Sequence, residues 1–206
     1  MTPNFAPEPI DASSPAVTMA AVGPAMLKVA AEECDGVKLH GFCTRKYIEE
    51  AVMPRLAQGL AKAGRPRENY EISGGGFLAT GPDDATVARM FEWVRERVAF
   101  YGSTQAYWPV LALHGIAELG QKLNAMTRQG RWSEMAKEVP DDVVHLFAAV
   151  GRYDQIVKAI AERFGGLTDA LNARANAAQP DLLPRDLIED IRCIPHAFRG
   201  FGRADS

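Results

Sequence analysis

Cysteine is scarce in this chain of 206 residues: Cys34, Cys43 and Cys193 are too few and too scattered for a disulfide framework. The four histidines, His40, His114, His145 and His196, lie far apart, and no Cys/His spacing resembles a zinc site. No stretch approaches the roughly 18 consecutive apolar residues of a membrane span. Neither sign of charge dominates. Lys and Arg number 23 against 26 Asp and Glu, a net charge of −3, so no general field attracts nucleic acid or an anionic membrane. The opening residues MTPNFAPEPIDASSP have no basic start followed by an apolar run and do not read as a secretory signal. These scarcities leave a cytoplasmic location as the expectation, with neither nucleic acid nor membrane as partner.

Apolar residues make up 47% of the chain, enough for one core. Residues 1–15 carry Pro3, Pro7, Pro9 and Pro15 and read as an irregular loop, because proline fixes φ and donates no hydrogen bond. Ala16 to Val22 then form a short apolar run closed by Gly23-Pro24, which fits a strand buried on both faces. Pro24 suits the first turn of a helix, where its missing N–H costs little. Asp35-Gly36 ends that helix and opens a second strand, Val37 to His40. Thr44 is a candidate N-cap for a helix whose buried face is Ile48, Val52, Leu56 and Leu60, with a kink expected at Pro54. A third strand is expected over 70–80, weakened by Gly74-Gly75-Gly76, where a kink or bulge fits better than a phosphate loop. Gly81-Pro82-Asp83-Asp84 is a strong helix start. The remainder reads as helical pieces near 105–115, 117–128, 132–138, 141–149 and 153–164. Residues 171–206 read as an irregular tail with one short helix, Asp186 to Cys193.

Strand–helix alternation indicates an α/β fold with parallel βαβ units. Three parallel strands make a poor sheet, because both edges stay unpaired. The faces of Val17, Met19, Val37 and Leu39 are therefore expected to be partly uncovered. An oligomer, or a missing N-terminal half, is the expected remedy.

The run Ala20-Ala21-Val22-Gly23-Pro24-Ala25-Met26-Leu27 followed by Asp35-Gly36-Val37 resembles the luciferase-like monooxygenase family, and within it the branch that depends on coenzyme F-420. The likeness continues through Leu39-His40-Gly41-Phe42, Val98 to Ser103, Gln129 to Trp132 and Phe164 to Leu167, covering roughly residues 3–170. It implies an oxidoreductase that transfers a hydride or activates oxygen, using F-420 or, as the alternative, flavin mononucleotide. It also implies a (β/α)8 barrel, which needs about 250 residues. Aligned on these motifs, residues 16–170 correspond to the last three β/α units plus helical C-terminal segments. The family's ring pocket and most of its proton-transfer residues then have no counterpart here, so the catalytic residues stay unassigned. A non-catalytic truncated or split-gene product is the other expectation.

The resemblance implies that Ala21, Val22, Gly23 and Pro24 bind the cofactor's phosphate-bearing tail. Glycine lets a ligand approach the backbone, and the next helix offers free N–H groups at its positive end. The alternative is an ordinary βα turn. His40 ends the second strand at the same mouth, and with Phe42 and Arg45 is a candidate substrate contact. The competing readings are a structural histidine and a solvated arginine at a helix start.

Overall fold

A computed structural model describes residues 15–172 and 183–201. The expected proline-rich loop lies outside the described residues except for Pro15, as does much of the expected tail. The order opens with β1 (Thr18–Ala21), α1 (Pro24–Glu33) and β2 (Gly36–Leu39). Next come α2 (Arg45–Tyr47), a π-turn over Ile48–Val52 and α3 (Met53–Ala63). Strands β3 (Glu71–Gly74) and β4 (Phe77–Gly81) precede the long α4 (Asp84–Gly102). Then follow α5 (Trp108–Leu113), α6 (Ala117–Arg128), α7 (Asp141–Phe147), β5 (Ala148–Arg152), α8 (Ile156–Phe164) and α9 (Arg185–Arg192). The fold is α/β, and the described strands form two parallel sheets, β1-β2-β3 and β4-β5, rather than a closed barrel.

Strand alternation decides which face is covered. The register aligns Met19, Val37 and Ile72 in one row and Ala20, Lys38 and Ser73 in the next. The first row packs against α1 and α3, with Val37 and Ile72 fully buried. The second row points the other way, and Ala20 and Lys38 are exposed. This corrects the expectation of strands buried on both faces. It also moves the uncovered surface: Val37 and Leu39 are buried, and of the four residues named only Val17 is strongly exposed, at 56%. The helices fit closely because α3 has glycine where α1 crosses it. A Cβ on Gly59 would lie 2.5 Å from the Cβ of Ala31.

The third expected strand is two strands. Gly74 and Gly75 have φ of 80° and 100°, a region that favours glycine, and the chain turns out of the first sheet there. A Cβ on Gly76 would meet the Phe164 ring at 2.7 Å. Strand β4 then pairs with β5, which sequence periodicity assigns to the end of a helix over 141–149. Val143 to Val150 contains no Gly or Pro to punctuate it, so helix and strand run together without a signal. The 132–138 piece is a 3-10 helix. Pro54 sits in the first turn of α3, preceded by the π-turn in which Met53 N–H bonds the Ile48 carbonyl. The distortion lies one turn before the proline, which therefore removes no donor from an established α-helical ladder. Asp83 caps α4 as expected, accepting from Thr86 N–H at 2.7 Å.

One carboxylate ties the C-terminal part to the first sheet. Asp169, its side chain 1% exposed, accepts from Arg67 Nη2 and Ile72 N–H at 2.8 Å through Oδ2. Its Oδ1 accepts from the N–H groups of Ala197 and Phe198 at 3.1 and 3.0 Å. The backbone of 168–170 runs parallel beside β3, bridging Ser73 to Ala170. Cys34 and Cys43 are buried, Cys193 is exposed, and all three are free thiols.

Replacing Asp169 with Asn places an amide N–H against buried donors and removes the charge facing Arg67. The substitution is expected to cost about 3 kcal/mol of stability. The check is urea denaturation: a lower midpoint with an unchanged slope is expected, and an unchanged midpoint would refute the role given to this carboxylate.

Candidate functional site

Because β1 and β2 are adjacent and parallel, the residues that follow their C-terminal ends meet. Gly23 and His40 line a common cavity of about 20 Å³ with Ala21, Val22, Phe42 and Tyr107. Gly23 has φ 79°, and a Cβ built on it would have no neighbour within 4 Å. It opens α1, a helix with no side-chain cap at its start. The Gly23 carbonyl accepts from Leu27 N–H, whereas the amides of the first turn point outward from the helix end with no partner inside it. This corner offers backbone donors and open space where an anion would approach.

His40 sits in an aromatic corner. Its ring lies 4.4 Å from Tyr101, nearly perpendicular, and 4.8 Å from Tyr107. Nδ1 accepts from Phe42 N–H at 3.0 Å, which makes Nε2 the protonated nitrogen of the neutral ring. Burial holds the His40 pKa below its ordinary value of 6.5. The group is a neutral hydrogen-bond donor at physiological pH rather than an acid. Tyr101 and Tyr107 are the site neighbours that sequence reading passes over. They lie some sixty positions downstream, and Tyr101 matches the buried stripe of a helix.

The loop that carries His40 is fastened at its far end. Thr44 caps α2 by accepting from Tyr47 N–H at 3.1 Å, and its hydroxyl meets His114 Nε2 at 2.8 Å. Arg163, on α8, donates to the Cys43 carbonyl at 2.8 Å. In return Arg45 donates to the Glu162 carbonyl at 2.8 Å, at the C-terminal end of α8. Arg45 also pairs with Glu49 at 2.8 Å. Arg45, named as a candidate substrate contact, is not among the residues that line this cavity, and its guanidinium bonds the end of α8. Phe42 contributes one wall, but its ring is core, stacked on Phe147 at 4.4 Å and 1% exposed. Pro24 starts α1 and is exposed, outside the cavity lining. Among the described residues no group of three or more His, Cys, Asp or Glu could hold a metal ion, and no helix is long and apolar enough to cross a membrane.

Residues 1–170 match the family model of luciferase-like monooxygenases. The chain belongs to that family. Among its relatives, an uncharacterized protein of Mycobacterium tuberculosis is 36% identical over 203 residues, 98% of this chain and 56% of the relative. The 5,10-methylenetetrahydromethanopterin reductase of Archaeoglobus fulgidus is 29% identical over 153 residues, 71% of this chain and 44% of that protein. The fold is similar to the solved coenzyme F-420 dependent tetrahydromethanopterin reductase of Methanopyrus kandleri, with a TM-score of 0.65 at 24% identity over 87% of this chain and 49% of that one. The chain thus spans about half the length of the proteins it matches.

His40 gives a pH test with a fixed sign. A histidine whose folded pKa lies below its unfolded value adds stability above pH 6.5 that is lost as pH falls. His114, lowered by burial and by the Lys46 charge, acts in the same direction. Stability is expected to decline on acidification from neutrality through 6.5, and His40→Gln should make the decline shallower. Chemical denaturation across that range measures it; an unaltered slope in the variant would show that His40 titrates as it does in the unfolded chain.

Proposed function

We propose that this chain is the later part of a luciferase-like, F-420-dependent oxidoreductase barrel, and that it supplies the backbone corner holding the cofactor's phosphate-bearing tail. The observation that carries this reading is Gly23: left-handed backbone and open space at the start of an uncapped helix, beside a neutral histidine on the next strand. The likeness in fold to a coenzyme F-420 dependent reductase favours F-420 over flavin mononucleotide. F-420, when bound, supplies hydride transfer to or from a small-molecule substrate.

The corner fits the tail. Ala21, Val22 and Gly23 present backbone, and the first turn of α1 presents amides, to an anionic group. His40 and Phe42 form the adjoining wall on the substrate side, where His40 Nε2 can donate one hydrogen bond. The cofactor ring does not fit the cavity, whose 20 Å³ suits about one water molecule. Holding the ring therefore falls to further elements that complete the barrel. Two features support such a completion. The outer edge of β1 is unpaired among the described strands, and Val22, Met26 and Val29 leave an apolar strip 42–43% exposed along α1. A second reading, a non-catalytic module, draws support from the Ala20–Lys38–Ser73 row, which is polar and small enough to face water unaided.

Titration of the purified chain with F-420 and with flavin mononucleotide, followed by fluorescence, tests the reading. Weak binding of F-420, no tighter than about micromolar, is expected without turnover of the reduced cofactor, because few backbone bonds in an exposed corner contribute. Gly23→Asp should abolish this binding by setting a carboxylate against the tail, whereas Gly23→Ala should weaken it only through backbone strain. Tight binding with turnover would overturn the tail-only role. No detectable binding would favour the non-catalytic module.

A further inference from the structure

A second cavity, lined by described residues, shares no residue with the corner at Gly23 and His40. It lies between α8, α9 and the strand-like segment 168–170, and encloses about 520 Å³. That volume is within the range of small-molecule sites, about 300–1,000 Å³. Its walls are aliphatic and aromatic: Leu78 from β4, Ile160 and Phe164 from α8, and Leu183, Ile188 and Ile191 around α9. Most of these belong to an apolar cluster that links α8 to α9.

A few polar groups interrupt the apolar wall. Thr168 and His196 line the cavity, and Thr168 Oγ1 and His196 Nδ1 are buried atoms with no hydrogen-bond partner among the described residues. Thr168 is only 7% exposed. Buried polar atoms left unpaired cost about 1–3 kcal/mol each, a cost that a ligand oxygen would remove. Asp169 also borders the space, but its two oxygens already accept four bonds, so it is not a free acceptor for a ligand. Arg192 completes the lining as an exposed cation at the end of α9.

We propose that the cavity between α8 and α9 is a binding site for a small amphipathic carboxylic acid. The apolar tail lies among Ile160, Phe164, Ile188 and Ile191. The carboxylate accepts from Thr168 Oγ1–H and faces Arg192, and His196 Nδ1 supplies a further hydrogen bond in its protonated tautomer. The aliphatic walls select the tail and the single cation selects the head, since an apolar pocket with a few fixed polar groups orients its ligand through those groups.

The experiment uses octanoate as probe and the full chain, followed by isothermal titration calorimetry. Saturable binding at one site is expected, with octanol of the same chain length binding more weakly. Ile188→Trp fills the space from the half-buried face of α9 and should lower affinity at least about tenfold without unfolding the chain. Thr168→Val, nearly isosteric, should weaken octanoate more than octanol, and Arg192→Ala should reduce the preference for the acid. Circular dichroism of each variant separates loss of fold from loss of site, and Thr168→Val preserves the test should Ile188→Trp misfold. Absence of saturable octanoate binding would overturn the proposal. So would binding indifferent to Ile188→Trp and Thr168→Val. Equal affinity for octanol, unchanged by Arg192→Ala, would overturn the assignment of a carboxylate ligand.

Discussion

The corner at Gly23 and His40 depends on the two-residue period of β1, β2 and β3. A strand turns successive side chains to opposite faces, so one register decides both the core and the open surface. Met19, Val37 and Ile72 are drawn under α1 and α3, which approach each other closely at Gly59 and Ala31. The same register turns Ala20, Lys38 and Ser73 outward and carries His40, two residues beyond Lys38, to the strand ends. A slip by one residue would bury Lys38 and expose Val37, so the register is held by the cost of burying a charge as well as by apolar area.

Local signals in the sequence were enough for much of this. Pro24, Thr44 and Asp83 mark helix starts, and the parallel order of the first three strands follows from the intervening helices. The shared corner of Gly23 and His40 follows from strand order alone, since adjacent parallel strands bring their C-terminal ends together. What was not legible depends on contacts distant in sequence. The division of 70–80 into two strands requires Phe164 to occupy the space beside Gly76. Strand β5 exists because β4 pairs with it, and its own residues do not distinguish strand from helix. The Asp169 carboxylate collects donors from three separate segments, and no short motif announces such a hub. Arg45 reads as a candidate ligand group because a sequence does not show that α8 ends beside it.

The site is therefore a corner built on a rigid edge rather than a formed pocket. Two arginines, Arg45 and Arg163, cross-brace the loop after β2 to the end of α8, each donating to the other segment's carbonyls. Burial holds the Arg163 pKa down to about 10, still far above neutrality, so its charge persists. Among the described residues that charge rests on the Cys43 carbonyl and on the Phe164 ring, whose centroid lies 5.2 Å away. The loop that presents His40 is stiff for that reason, and a stiff donor loses less entropy when it meets a ligand.

The distribution of the three sulfurs has a practical side. Cys43 is deeply buried, and desolvation pushes its thiol up to about 12. At neutral pH it carries almost no thiolate, the form that reacts with electrophiles and oxidants. Cys34 is also enclosed, which leaves Cys193, exposed at the C-terminal cap of α9, as the one thiol open to reagents. A maleimide dye added to the native protein would thus mark a single position without any engineered substitution. Its neighbours Arg192 and Ile194 both line the α8–α9 cavity, so the native sequence already places a reporter handle at the rim of that space.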